Sequence, residues 1–263
     1  MRHIRMIFAF IRTGFLEDSA YRENFFINFF SAILTLGTGL AAIEIVFNQT
    51  QAINGWSKAQ VFAVFGVYQT LNALRGLFIG PSLDSLAGMD GDVWSGRLDF
   101  TLLRPVSLQF LVSVRQWRLF ELFNLLTGVA ILFFTVQSLS ITLSLGQLVF
   151  FALALSISFF MLYAILLILT ALVFWSPGIL FSWIFNGVFQ MARYPLDLYP
   201  GWLHWVITWI VPVGMITTLP AQYLTGQVSW LSLAAFALLT AVANLVAAAL
   251  LKLGASKYSS ASS

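Results

Sequence analysis

Long apolar runs, separated by short polar stretches, organise this chain. Between Leu122 and Leu251 only two side chains are charged, Arg193 and Asp197. A bilayer is the environment that rewards such a run of Leu, Phe, Ile, Val, Ala and Trp, so the pattern predicts an all-α, polytopic membrane protein. Six spans are expected, at 25–47, 59–80, 110–136, 147–175, 179–193 and 229–251. Ahead of them, Ile4, Ile7, Phe8, Ile11 and Phe15 recur at helical spacing, with Arg2, Arg5 and Arg12 elsewhere on the wheel. That is the pattern of an amphipathic helix lying among lipid headgroups, here assigned to residues 1–23. Arg5 and Arg12 interrupt the apolar stretch, and no small-x-small site follows, which argues against a signal peptide.

The connections are unequal. Residues 48–57 and 138–145 read as short polar outer loops, and Trp175-Ser-Pro-Gly178 as a tight inner turn. Residues 81–109 form the one sizeable cytoplasmic connection. Residues 194–228 are cut by Pro195, Pro200, Pro212 and Pro220 and are rich in Trp, which predicts an outer re-entrant pair of short helices. The Ser-rich tail at 256–263 is expected to fray. Cations set the orientation. Arg2, Arg5, Arg12, Arg22, Arg75, Arg97, Arg104, Arg115, Arg118, Lys252 and Lys257 all fall at one face, leaving Lys58 and Arg193. That face is expected to be cytoplasmic, with both termini there.

Composition sharpens this picture. Hydrophobic residues make up 60% of the 263 and charged residues 9%, leaving little chain for a soluble domain. No Gly-x-x-x-x-Gly-Lys-Ser/Thr loop occurs, so a nucleotide-binding domain is not expected in these residues. Without cysteine, and with only His3 and His204, neither disulfides nor a thiolate or histidine metal site is available. The net charge of +3 gives no reason to expect a nucleic-acid partner.

Several residues invite chemistry. In the cytoplasmic connection, Asp92 is placed to cap a short helix starting with Val93, Trp94 and Ser95, which Arg104-Pro105 then ends. Trp94, Phe100, Leu102 and Leu103 are apolar where a solvated loop would be polar. They suit either a docking surface for a cytoplasmic partner or packing beneath the membrane. Arg118 and Glu121 sit three apart on the expected third span and are positioned to pair, with Arg115 one turn below. Arg75 is expected to reach the inner headgroups, Arg193 to pair with Asp197, and Trp202, Trp205 and Trp209 to join an interfacial belt. Two other readings are weighed. A transferase would use Asp90-Gly-Asp92 to hold magnesium, but the Asp-Gly-x-x-Ala-Arg pattern of the membrane CDP-alcohol transferases is missing. An ion-coupled secondary transporter would need ionisable groups at mid-membrane, where Glu121 alone qualifies.

The stretch Gly96-Arg-Leu-Asp-Phe-Thr-Leu-Leu-Arg-Pro-Val-Ser107 resembles the Gly-x-Leu-Asp-x-x-Leu-Leu-Arg-Pro signature of type-two ATP-binding-cassette permeases, in particular the branch associated with antibiotic and daunorubicin resistance. Arg193-Tyr-Pro195, Tyr199-Pro200, Ile210-Val-Pro212 and Leu219-Pro-Ala-Gln-Tyr-Leu-Thr-Gly226 are similar to that branch too, in the same order along nearly the whole chain. The resemblance implies a single permease domain without ATPase activity, forming the pathway of an exporter in the inner (plasma) membrane. It implies a second permease chain, identical or paralogous, and a cytoplasmic ATPase dimer that binds ATP and magnesium, so that this chain holds no cofactor. It also implies that Asp92, Trp94, Gly96, Arg97, Leu98, Asp99, Leu102, Leu103, Arg104 and Pro105 belong to the helix that couples to the ATPase.

Overall fold

The structure, a computed structural model, describes residues 2–20, 22–139, 144–176, 181–226 and 230–258. The expected turn at Pro177-Gly178, part of the 138–145 loop and the last residues of the tail lie outside them. An amphipathic first helix, α1 (Arg2–Ala20), is followed by α2 (Arg22–Phe47). A two-residue hairpin comes next, β1 (Ala52–Ile53) with β2 (Trp56–Ser57). Asn54 and Gly55, both at positive φ (49° and 84°), make its turn, the type I′ geometry that suits hairpin twist. Ser57 then caps α3 (Lys58–Ala87) in a reciprocal box with Gln60.

The described chain continues through α4 (Leu98–Leu102), α5 (Leu108–Val114), α6 (Glu121–Ser138), α7 (Leu145–Phe174) and α8 (Phe181–Phe189). It ends with α9 (Gly201–Ile210), α10 (Val213–Leu224) and α11 (Trp230–Lys257), so that Ser256 and Lys257 are helical and not frayed.

Helix α3 is the centre of the bundle: Val61, Val64, Phe65, Val67, Tyr68 and Leu71 are all buried in the main core. Helix α6 runs antiparallel to it at close range. A Cβ on Gly128 would lie 2.7 Å from the Thr70 backbone nitrogen, and one on Gly66 would lie 2.9 Å from Leu132. Helix α11 packs along α7, where Gly254 meets Phe174 and the Asn244 amide donates to the Phe160 carbonyl. By contrast α2 exposes Phe26, Phe30, Leu34 and Ile45, an apolar surface that the rest of the described chain leaves uncovered.

Among the described residues five helices are long and apolar enough to cross a membrane: α2, α3, α6, α7 and α11. The expected third span needs correction. Residues 110–136 are not one helix, because α5 ends at Val114 and α6 begins at Glu121. Arg115, Gln116 and Arg118 find polar partners there that a continuous helix would have denied them. The second span is longer than expected and reaches Ala87.

Among the described residues the fifth expected span, 179–193, contains the short α8 and a 3₁₀ turn over Gln190–Arg193. The chain nonetheless follows α3 along much of its length. Asn186 accepts a hydrogen bond from Arg75, and Asp197 accepts one from Trp56 at the hairpin end. Helices α9 and α10 meet at 90°. Both outer ends of this pair lie at the hairpin end of the bundle, since Asp197 precedes it and Tyr223, near its close, stacks on Phe150 of α7 at 6.2 Å. The proline-cut segment therefore enters and leaves at one end.

Candidate functional site

The segment from Gly88 to Ser107 joins α3 to α5 and is built around a buried carboxylate. Asp92 is 2% exposed. Its Oδ2 accepts from Arg115 Nη1 at 2.5 Å and from Thr101 Oγ1 at 2.7 Å. Arg97 Nε lies 3.8 Å from Oδ1. The expectation that Asp92 caps a helix over 93–95 is thus corrected: those residues form turns, the helix is α4, and the carboxylate is held by Arg115. Gly96, at φ 68°, takes the left-handed turn that lets Arg97 reach back to the Asp90 carbonyl at 2.6 Å and Ser95 Oγ at 2.9 Å. Leu98 is fully buried and anchors α4 from beneath.

On the opposite side Trp94, Phe100, Leu102 and Leu103 project outward, Leu103 being 81% exposed. Arg104 and Pro105 are exposed beside them, whereas Asp99 is half-buried. The sequence motif therefore has two faces, an inner one that fixes the segment and an outer one that is apolar and open.

Residues 115–119, between α5 and α6, connect this segment to the rest of the bundle, one residue at a time. Arg115 holds Asp92. The Gln116 N–H donates to Ser82 Oγ at 2.9 Å, and that hydroxyl donates to the Gln116 carbonyl at 3.0 Å. Trp117 stacks on Phe78 at 4.8 Å and presses against Gly14 of α1. The Arg118 N–H donates to the Leu77 carbonyl at 2.8 Å, and the Leu119 N–H donates to Asp18 Oδ2 at 2.7 Å. Composition gave no warning of this junction. The one cue was Pro81, whose missing N–H leaves the Leu77 carbonyl without its helical donor.

Just above the junction, α3 loosens into a π-helical stretch over Arg75–Ile79, a form that concentrates at functional sites. Arg75 is not turned out from the bundle as expected. It turns inward, donates to the Asn186 side-chain carbonyl and lies 5.8 Å from the Phe189 ring centre. Its Nε is buried without a hydrogen-bond partner. Nor do Arg118 and Glu121 form an ion pair among the described residues. Arg118 precedes the helix and is exposed, while Glu121 accepts from Asn124 Nδ2 at 2.7 Å and fits against Gly76. A cavity of about 140 Å³ lies between these groups.

At the hairpin end Arg193 and Asp197 do not pair either, because the chain between them is not helical. The Arg193 guanidinium sits over the Tyr68 ring at 5.3 Å. Asp197 instead accepts from Trp56 Nε1 at 2.8 Å, and its carbonyl accepts from Asn54 Nδ2 at 2.7 Å. Glu44, on α2, pairs with Lys58 at 2.5 Å. Pro195 and Pro220 are buried and Pro212 half-buried at the root of the α9–α10 pair, while Pro200 is exposed at its entry. Trp202, Trp205 and Trp209 are exposed along α9. The carboxylates of Asp90 and Asp92 stand apart in character, the first exposed and the second buried against Arg115.

A bundle of apolar helices with a pinned connection at one end and a proline-cut helical pair at the other defines a multi-pass membrane protein. The family model for ABC-2 family transporter proteins matches residues 33–262, and the chain belongs to that family. It is therefore a permease component of an ATP-binding-cassette transporter, and membership implies a cytoplasmic ATPase partner. No curated protein and no solved structure matches the chain.

Proposed function

We propose that this chain forms half of the translocation pathway of an exporter and takes its motion from ATPase subunits that seat on α4. The observation that carries this reading is the division of the 88–107 segment into a buried, ion-paired face and an open apolar face. An isolated five-residue helix has no stability of its own in water. The Asp92–Arg115 pair gives α4 a rigid seat, so that a push on Leu103 or Phe100 passes through Arg115 into the 115–119 junction and on to α3 and α6. The binding free energy of ATP, used to close the partner subunits, has to favour the outward state by several kcal/mol to complete the switch.

In this reading the α4 end faces the cytoplasm of the plasma membrane, and both termini lie on that side. Two permease chains pack through the outward apolar surfaces of α2 and of α8, which exposes Trp183 and Ile184. Cargo then passes between the chains, and the α9–α10 pair forms a re-entrant cap at the outer end. Affinity capture of the permease with its ATPase tests the assignment. Leu103→Asp and Arg104→Ala are expected to weaken capture about tenfold or more, as loss of a central apolar anchor does at interfaces. Undiminished capture with unchanged coupled hydrolysis in both variants overturns it.

A further inference from the structure

The cavity of about 140 Å³ beside the π-helical stretch of α3 is lined by groups of both signs. Arg75, Asn186 and the buried Thr170 stand at its back, and Asp84 and Arg118, both exposed, at its mouth, with Glu121 between. Arg75, Arg118 and Glu121 have hydrogen-bonding capacity to spare. The Arg75 Nε is buried and unbonded, and the Arg118 side chain has no hydrogen-bond or ion-pair partner among the described residues. Glu121 carries one side-chain donor, Asn124, on Oε2. Buried charge is costly unless it is paired and hydrogen-bonded, so a chamber of this kind is built for a polar occupant.

Depth and charge identify the occupant. Lys58, paired with Glu44, begins α3, and Arg75 follows seventeen residues later, roughly 25 Å along the helix axis. With a hydrocarbon core of about 30 Å, a Lys58–Glu44 pair at one headgroup layer places Arg75 close to the other. An occupant with one charge would meet two groups of its own sign, the guanidiniums of Arg75 and Arg118 or the carboxylates of Asp84 and Glu121. An occupant carrying both a phosphate and an ammonium meets a partner for each. A space of this size suits a headgroup and not a whole lipid.

We propose that this chamber is a binding site for a phosphoethanolamine headgroup, with the phosphodiester toward Arg75 and Arg118 and the primary ammonium toward Glu121 and Asp84. Charge-assisted hydrogen bonds from guanidinium to phosphate and from ammonium to carboxylate supply the recognition. The trimethylammonium of phosphocholine has no N–H to donate and is bulkier, and phosphoglycerol has no cation. The site is thereby selective among common lipids, whatever cargo the transporter moves.

Native mass spectrometry of the delipidated full-length chain tests this by titration with phosphatidylethanolamine, phosphatidylglycerol, phosphatidylcholine and free phosphoethanolamine. Phosphatidylethanolamine is expected to bind tighter than either other lipid by about tenfold or more, the difference of one charge-assisted hydrogen bond. Free phosphoethanolamine is expected to displace it, and tighter binding of the free compound than of the lipid reassigns the source to a soluble phosphoester and overturns the lipid assignment. Arg75→Gln is expected to reduce binding of every phospholipid, and Glu121→Gln to remove the preference over phosphatidylglycerol. Arg118→Gln, at the exposed mouth, replaces Arg75→Gln if that buried change prevents folding. Equal retention of the three lipids by the native chain, or unchanged selectivity in Glu121→Gln together with unchanged affinity in the arginine variants, overturns the proposal.

Discussion

The backbone N–H of Arg118 donates to the carbonyl of Leu77 across two separate segments, at 2.8 Å. That carbonyl is free because Pro81, four residues on, has no N–H to give it. A defect in one helix is thus repaired by the chain that leads into another, and the junction between α5 and α6 gains a fixed address on α3.

Pro81→Ala restores a local donor that competes for the Leu77 carbonyl. One intramolecular hydrogen bond is worth about 0.5–1.5 kcal/mol net. Hydrogen–deuterium exchange is therefore expected to rise several-fold at the Arg118 amide and to change little at the Gln60 amide, which the α3 cap holds at the other end of the same helix. Equal change at both amides sinks the repair account.

Arg115→Ala leaves the Asp92 carboxylate buried without its principal partner, a loss that costs about 3–5 kcal/mol when the charge stays in place. Arg115 is 27% exposed at its side chain, whereas Arg97 is 60% exposed and its contact is longer. Arg97→Ala is expected to cost about 1 kcal/mol or less. Thermal unfolding and ATPase coupling should both fall in Arg115→Ala, and Asp92→Asn in the same chain should recover part of the stability. Equal effects of the two arginine changes would show that Asp92 is not the organising group.

Gly128→Ala forces a methyl against the Thr70 backbone, which has no flexible end to move aside. Overpacking of this kind costs about 1–3 kcal/mol. Gly37, in α2, has nothing within 4 Å of an added Cβ, so Gly37→Ala is expected to be neutral or slightly stabilising. Melting temperatures of the two variants in one detergent check the contrast.

Trp56→Phe keeps the buried ring and removes the N–H that holds Asp197. A hydrogen bond to a carboxylate is worth about 1.5–3 kcal/mol. Limited proteolysis after Tyr199 or near Trp205 is expected to accelerate about tenfold, because Asp197 fixes the entry to α9. Lys58→Ala, which breaks a pair exposed at both partners, is expected to leave the rate unchanged.

What sequence made legible was whatever depends on a window of neighbouring residues. The apolar runs marked α2, α3, α6, α7 and α11, the prolines marked the α9–α10 pair, and the Gly96–Pro105 motif marked the segment that carries α4. The missed features each depend on a partner far along the chain. Asp92 reads as a cap until Arg115, twenty-three residues later, is placed beside it. Arg193 and Asp197 invite pairing on spacing alone, yet each is held by α3 or the hairpin before it. Arg75 looks like a headgroup anchor because hydropathy cannot see Asn186 across the bundle. The break in the third span was hidden because Trp117, Leu119 and Phe120 keep the average apolar while the backbone of Gln116, Arg118 and Leu119 bonds elsewhere.

The 115–119 junction has no slack. Five consecutive residues each hold a different point, on the Asp92 turn, on Ser82, Phe78 and Leu77 of α3, and on Gly14 and Asp18 of α1, so one inserted or deleted residue would throw every later tie out of step. A flexible surface loop tolerates added residues at little cost. Here the spacing from Arg115 to Leu119 is as fixed as the teeth of a gear, and lineages of this transporter should differ in what those side chains are before they differ in how many there are.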